Sequence, residues 1–384
     1  MSKYVINGGK KLEGIVEISG AKNASLPIIA ACILNSGKST LYNVPKIQDT
    51  EMMFKILREI GATVIRKNNK VIIDTSKINC FEISEELMRK MRSSVILAGS
   101  LLGKYGKVRF SCPGGCDIGS RPIDLHISGF KKIGINIEEK AGYIIGSCDR
   151  IVGAEIQLEF PSVGATENLM LSSVFCEGET VLNNVAMEPE IIDLQNFLNR
   201  MGAKICGAGS NRIVITGVKK LKDVSYNIMP DRIETGTFLA FATATGSKLE
   251  IKKTNYYYLL PVISKLEEAG AKIWKEKDRI LIESPRRIKA IDFKTMPYPG
   301  FPTDMQSVFL SLLTGAKGTS IITENIFENR FKCSQELVRM GAKIVIEGRT
   351  AVIKGVRKLN GTCVNASDLR GRCCFSFSWT YGTW

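Results

Sequence analysis

The sequence predicts an α+β fold built from one small module that recurs about every seventy residues, and two glycine landmarks keeping that spacing predict it. The first landmark is a helix end running into a strand, at residues 60–64, 133–137, 201–205, 269–273 and 340–344, with the glycines 68–73 positions apart. A glycine just past an amphipathic stretch such as 194–201 is a helix stop, because it enters the left-handed region without a Cβ clash. The second landmark is a glycine opening a short β-prone run, at Gly37, Gly106, Gly178, Gly246 and Gly318.

Read in order, each module is helix, strand, helix, strand, strand. An apolar helix of ten to fifteen residues precedes each second-landmark glycine, for example around 168–175. The strand after that glycine leads into the amphipathic helix closed by the first landmark. Two β-branched or alternating runs follow, as at 343–346 and 351–353. The apolar helices start at 19–23, 91–94, 162–166, 231–235, 302–306 and 367–371, with small, polar or acidic residues suited to N-caps and first turns. Units of this length are too long for a solenoid and too few for a propeller. Periodicity alone leaves open how they divide into domains.

Composition sets further bounds. At 384 residues and 44% hydrophobic content, the chain is large enough for two or three cores. Its start lacks the features of a secretory signal, and no uncharged run approaches the roughly 20 apolar residues of a membrane span. Eleven cysteines without a C-x-x-C pair, beside a single histidine, argue against a zinc site or a disulfide framework and for a reducing cytoplasm. The net charge of +15 is scattered, with no basic block, no aromatic RNA-binding signature and no finger spacing. An anion-handling protein is expected, not a nucleic-acid binder.

The stretch Pro-Gly-Gly-Cys-Asp-Ile-Gly-Ser-Arg-Pro-Ile-Asp-Leu at 113–125 points to chemistry. Gly114 and Gly115 make a pliable hinge. They present Cys116 five residues ahead of Arg121, and a thiol near a guanidinium ionises below the ~8.5 of free cysteine. A plain surface-loop cysteine is the alternative. Four of the helix starts also carry a basic residue, and converging helix N-termini with Lys22, Arg92, Arg121 and Arg370 nearby would bind phosphate or carboxylate. Ordinary capping would account for any one start taken alone.

Several segments then match a known pattern: Gly-Ala-Lys-Asn-Ala at 20–24, Met-Arg-Ser-Ser at 91–94, Pro-Gly-Gly-Cys at 113–116 and Arg-Pro-Ile-Asp-Leu-His at 121–126. Further on come Pro-Ser-Val-Gly-Ala-Thr-Glu-Asn at 161–168, Pro-Gly-Phe-Pro-Thr-Asp-Met-Gln at 299–306, Thr-Glu-Asn-Ile-Phe-Glu-Asn at 323–329 and Ser-Asp-Leu-Arg at 367–370. On these residues, from Met1 to about Gly371, the chain resembles the enolpyruvyl transferases, in particular the branch whose acceptor is UDP-N-acetylglucosamine. The resemblance implies an inside-out α/β barrel in two domains, residues 22–230 and residues 1–21 plus 231–384, with the active site between them.

It further implies transfer of the enolpyruvyl group of phosphoenolpyruvate to the sugar 3′-hydroxyl with release of phosphate, the first committed step of peptidoglycan synthesis. No metal or redox cofactor is implied. Cys116 would be the proton donor and the site of fosfomycin alkylation, and Asp304 the base at the sugar hydroxyl. Lys22, Arg92, Arg121 and Arg370 would hold phosphate and carboxylate, Asn23 would orient the substrates, and Asp368 would be a second acid. The nucleotide sugar would lie against Arg121, Pro122, Ile123, Asp124, Leu125, Ser162, Val163, Gly164, Asp304 and Ile326. Simpler roles stay open: Asp304 and Asn23 as caps, Asp368 and Arg370 as a surface pair, His126 as a structural residue. The shikimate-pathway branch, with 3-phosphoshikimate as acceptor, is the rival enzyme; an inactive remnant that only binds nucleotide sugar is the rival of another class.

Residues 371–384 fit neither the family nor the repeat: a sixth apolar helix is due there, and two of the three tryptophans and two cysteines stand instead. Synonymous codons for 373–384, read one base later, spell Ala-Ala-Leu-Val-Leu-Ala-Gly-Leu-Met-Ala-Leu, the helix the repeat calls for. A frameshifted, incomplete sixth module is therefore expected, with reduced stability and little or no turnover.

Overall fold

The computed structural model describes residues 5–6, 8–111 and 123–365, with backbone only for Arg89, Lys90 and Arg92. Strand β1 (Glu13–Glu17) comes first, followed by a module of α1 (Lys22–Ala31), β2 (Lys38–Tyr42), α2 (Gln48–Glu59), β3 (Thr63–Lys67) and β4 (Lys70–Asp74). The next contains β5 (Glu82–Ile83), α3 (Glu85–Lys90), α4 (Ile96–Tyr105), β6 (Lys107–Ser111), α5 (Asp124–Lys132), β7 (Asn136–Lys140) and β8 (Tyr143–Ser147). The third runs β9 (Glu155–Gln157), α6 (Val163–Ser172), β10 (Glu179–Asn183), α7 (Pro189–Met201), β11 (Lys204–Cys206) and β12 (Arg212–Thr216). After β13 (Val224–Asn227) come α8 (Arg232–Thr245), β14 (Lys248–Lys252), α9 (Leu260–Glu268), β15 (Lys272–Lys275) and β16 (Arg279–Glu283). The last described module is β17 (Phe293–Lys294), α10 (Gln306–Leu313), β18 (Thr319–Thr323), α11 (Cys333–Arg339), β19 (Lys343–Glu347) and β20 (Thr350–Lys354).

The repeat is thus present with one addition: a short leading strand pairs parallel to the strand after the apolar helix, as β9 does with β10 and β17 with β18. Each sheet has four strands in the same order, β5-β6-β8-β7 being one instance. All five first-landmark glycines have positive φ, from +88° at Gly134 to +109° at Gly270. Of the second set, Gly37 alone does not.

Among the described residues, two compact units divide the chain, one holding residues 19–111 and 123–229, the other residues up to Ile18 and from Pro230 on. At the two passages between them the leading strands are exchanged. β1 precedes α1 in sequence yet pairs with β14, and β13 precedes α8 yet pairs with β2. The 19–229 unit has three sheets and the other has two.

Why the helices lie inside is plain from their composition. α1, α4, α6 and α10 are mostly apolar or small and are buried on most of their residues, Glu167 and Asn168 of α6 among them. The strands alternate, burying one face and exposing the other, as in β4 and β12. Small residues set the helix spacing in the 19–229 unit. A Cβ on Gly99 would lie 2.4 Å from the Asn168 carbonyl oxygen, and one on Gly103 would lie 2.8 Å from that of Leu171. Because Gly99 meets Asn168 and Gly103 meets Leu171, α4 and α6 run parallel and start at the same end. No described helix is long and apolar enough to cross a membrane.

Candidate active site

In the 19–229 unit, Lys22 and Asn23 open α1, whose N-cap residue Ala21 has no side chain to cap with. Asn23 is therefore inside the first turn and half-buried, not the cap that was one reading of it. The Lys22 ammonium is paired with the Asp49 carboxylate in the first turn of α2. Arg92 begins a 3-10 turn that leads into α4.

Ser162 does cap: its Oγ accepts the Ala165 N–H (3.4 Å) at the start of α6, with Val163 and Gly164 in the first turn. Ile123 precedes α5, and Asp124 and Leu125 are its first residues. One hub joins these two helix starts and α4. The Asn168 Oδ1 accepts the Gly99 N–H (2.7 Å), and its Nδ2 donates to the Val95 carbonyl (3.2 Å). That Nδ2 also lies 2.8 Å from His126 Nδ1, and since an amide nitrogen only donates, Nδ1 accepts and the imidazole proton sits on Nε2. Gly164 has no side chain where the His126 ring lies, 3.2 Å from the position of a Cβ. The structural reading of His126 thus has a definite partner.

The same unit buries acids. Glu167, on α6, is pushed well above the usual carboxylate range by burial and by neighbouring Glu190 and Glu188. Asp193, on α7, rises to about 6 through burial, although it accepts the Tyr226 hydroxyl (2.7 Å) and the Met229 N–H (3.2 Å). Met229 adjoins a passage between the units and takes the Ala21 N–H on its carbonyl (2.8 Å).

In the other unit, Asp231 caps α8 through the Ile233 and Glu234 N–H groups (2.8 and 3.0 Å). Asp304 does not cap α10. It sits in the 3-10 turn Thr303–Met305, and its Oδ1 accepts from Arg330 Nη2 at 2.7 Å. Beside it, the Glu324 carboxylate takes the Thr303 hydroxyl on both oxygens (3.0 and 2.9 Å) and, on Oε1, the Ile326 and Phe327 N–H groups (2.9 and 3.1 Å). One buried carboxylate therefore fixes the Asp304 turn and the Ile326 loop together.

Five expected residues, Cys116, Arg121, Pro122, Asp368 and Arg370, lie outside the described residues, as does the tail from 371 to 384. The structure brings Asp304 and Ile326 together through Glu324, and Ile123–Leu125 with Ser162–Gly164 through α5 and α6. Sequence reasoning missed Asp49, Glu324 and Arg330. Glu324 was inside a recognised motif, but the signal that it and Arg330 are special is burial, which no spacing reveals. Among the described residues, no group of three or more His, Cys, Asp or Glu is arranged to hold a metal ion.

The family model for EPSP synthase (3-phosphoshikimate 1-carboxyvinyltransferase) matches residues 6–378. UDP-N-acetylglucosamine 1-carboxyvinyltransferase 2 of Caldanaerobacter subterraneus subsp. tengcongensis is 53% identical over 97% of this chain and 89% of its own length. The enzyme of the same name from Carboxydothermus hydrogenoformans is 48% identical over 96% and 89%. In structure, the chain is similar to the enolpyruvyl transferase NikO from Streptomyces tendae (TM-score 0.87, 22% identity, covering 98% of this chain and 90% of that one). It is also similar to EPSP synthase from Acinetobacter baumannii (TM-score 0.76, 18% identity, 99% and 92%). Those two likenesses establish the enolpyruvyl transferase fold. Identity of about half over nearly the whole sequence settles the rest: the chain belongs to the UDP-N-acetylglucosamine 1-carboxyvinyltransferase family, within the wider group that includes EPSP synthase.

Proposed function

We propose that the chain transfers the enolpyruvyl group of phosphoenolpyruvate to the 3′-hydroxyl of UDP-N-acetylglucosamine, releasing phosphate, as the first committed step of peptidoglycan synthesis. The observation that carries the choice of acceptor is the 53% identity to a relative named for that acceptor, against 18% to an EPSP synthase of the same fold. A nucleotide sugar and phosphoenolpyruvate are cytoplasmic metabolites, so the reading also puts the protein there.

In this reading the Cys116 thiol protonates C3 of the enol while the sugar oxygen bonds to C2, and Asp304 takes the hydroxyl proton. The tetrahedral ketal phosphate then loses phosphate from C2, and the thiolate recovers the C3 proton. Lys22, Arg92, Arg121 and Arg370 hold phosphate and carboxylate, and the helix starts at Ser162 and Ile123 take the nucleotide sugar. The Lys22–Asp49 pair keeps the ammonium compensated until phosphate replaces the aspartate.

The test is phosphate release from phosphoenolpyruvate with either acceptor present. From a chain that carries a complete sixth module, release that depends on UDP-N-acetylglucosamine is expected. Release that depends on 3-phosphoshikimate instead would overturn the reading.

A further inference from the structure

Gln306, the first residue of α10, is completely buried, yet neither its Oε1 nor its Nε2 has a hydrogen-bond partner among the described residues. The hydroxyl of Ser307 beside it is buried and unmatched in the same way. Taking an amide out of water without replacing its hydrogen bonds destabilises a fold, so such a group points to a partner. Other polar side chains of this stretch have theirs. The Thr303 hydroxyl donates to Glu324 (3.0 and 2.9 Å), and the Thr314 hydroxyl to the Ser311 carbonyl (2.6 Å).

The 19–229 unit shows what a buried amide does among these helices. Asn168 of α6 takes the Gly99 N–H on its Oδ1 (2.7 Å) and gives its Nδ2 to the Val95 carbonyl (3.2 Å). A carbonyl and the N–H four residues on are partners in an uninterrupted helix. The amide is thus threaded into the head of α4 and ties α6 to it. In the other unit, α8 meets the head of α10 at Met305, whose Sδ lies 3.1 Å from the position of a Cβ on Gly236. That contact is apolar and leaves the amide unmatched. The third apolar helix of this unit is due from 367 on, outside the described residues.

We propose that Gln306 is the docking point for that third helix: its amide accepts an N–H and donates to a carbonyl in the first turn, as Asn168 does for α4. A primary amide carries both the acceptor and the donor that such a break in a helix ladder needs. The proposal stands on the fold and is independent of which acceptor the enzyme uses. The sequence 371–384 has no apolar helical pattern, so the amide is expected to find its partners only where a complete sixth module follows.

The experiment measures thermal melting of the unmodified chain and of Gln306→Met, each with its own residues 373–384 and with a complete sixth module in their place. Methionine keeps the length and unbranched shape of glutamine and removes the amide. With the chain's own tail, Gln306→Met is expected to leave the melting temperature unchanged or to raise it, because no hydrogen bond is lost. With the sixth module, the parent is expected to melt higher, and the same substitution to lower its melting temperature by about 3 °C or more. Failure of the variant to fold only in that context is the same result in stronger form. A lowered melting temperature with the chain's own tail would overturn the proposal, because the amide would already have a partner, water included. An equal effect in both contexts would overturn it too. So would a sixth-module parent no more stable than the chain with its own tail, since no helix would then have docked.

Discussion

The inner helices of the two units are covered to different degrees. In the 19–229 unit, α6 is buried at every position from Ala165 to Ser172, and α4 from Ile96 to Leu102. In the other unit α10 is likewise buried, but α8 keeps Glu234, Thr237, Phe238, Phe241 and Thr245 half-exposed, largely on one stripe. A helix that is apolar all round needs neighbours on all sides. Three modules supply them in the first unit, and two described modules do not cover α8 in the second. The chain also spans about nine-tenths of the length of its relatives.

Steric substitution should separate the units most sharply. Gly99→Val drives a side chain into the Asn168 backbone 2.4 Å away, so a loss of about 4 kcal/mol or more, or failure to fold, is expected in urea melts. Gly236→Ala meets only the end of the flexible Met305 side chain at 3.1 Å and should cost under about 1 kcal/mol. Equal costs would mean that the two helix interfaces are equally tight. Truncation comes next: Leu101→Ala, fully buried on α4, should lose about 2–5 kcal/mol, and Phe238→Ala on α8 only about 1–2. Replacing residues 373–384 by a sixth module whose helix carries the shifted reading should raise the Phe238→Ala cost toward the α4 value and increase turnover. An unchanged cost would show that α8 is not the face such a helix covers.

Charge gives the smallest contrast. Asp304 is paired with a guanidinium, whereas Glu167 and Asp193 face none among the described residues and are raised by burial, Asp193 in spite of the Met229 N–H it accepts. A carboxyl whose folded pKa lies above its unfolded value stabilises the fold at low pH, and that contribution is lost as pH rises through the folded value. For Asp193 the window runs from about 4 to about 6, and the loss is on the order of 2–3 kcal/mol. Melting temperatures should therefore decline across that range, and Asp193→Asn should flatten the decline while its amide oxygen still accepts from Tyr226. A slope of the opposite sign would contradict the assignment.

Much of the architecture was legible because glycine marks it: Gly61, Gly134, Gly202, Gly270 and Gly341 each adopt the backbone conformation a helix stop demands. The leading strands escaped notice because Glu82–Ile83 and Phe293–Lys294 are too short to show alternation. Strand exchange is invisible for another reason, since β1 pairs with a segment more than two hundred residues away. At the site, Asp304 and Ile326 stood out through their motifs. Arg330 did not: it follows Asn329 in a charged loop, and only the fold shows that its guanidinium is buried against a carboxylate.

The most direct measurement of the central claim is phosphate release dependent on UDP-N-acetylglucosamine, comparing Cys116→Ala with its parent in a chain that carries the complete sixth module. Removing the thiol is expected to abolish release at neutral pH while leaving nucleotide-sugar binding in place. Undiminished release from the alanine variant would contradict the account, because no acid would then be needed at position 116.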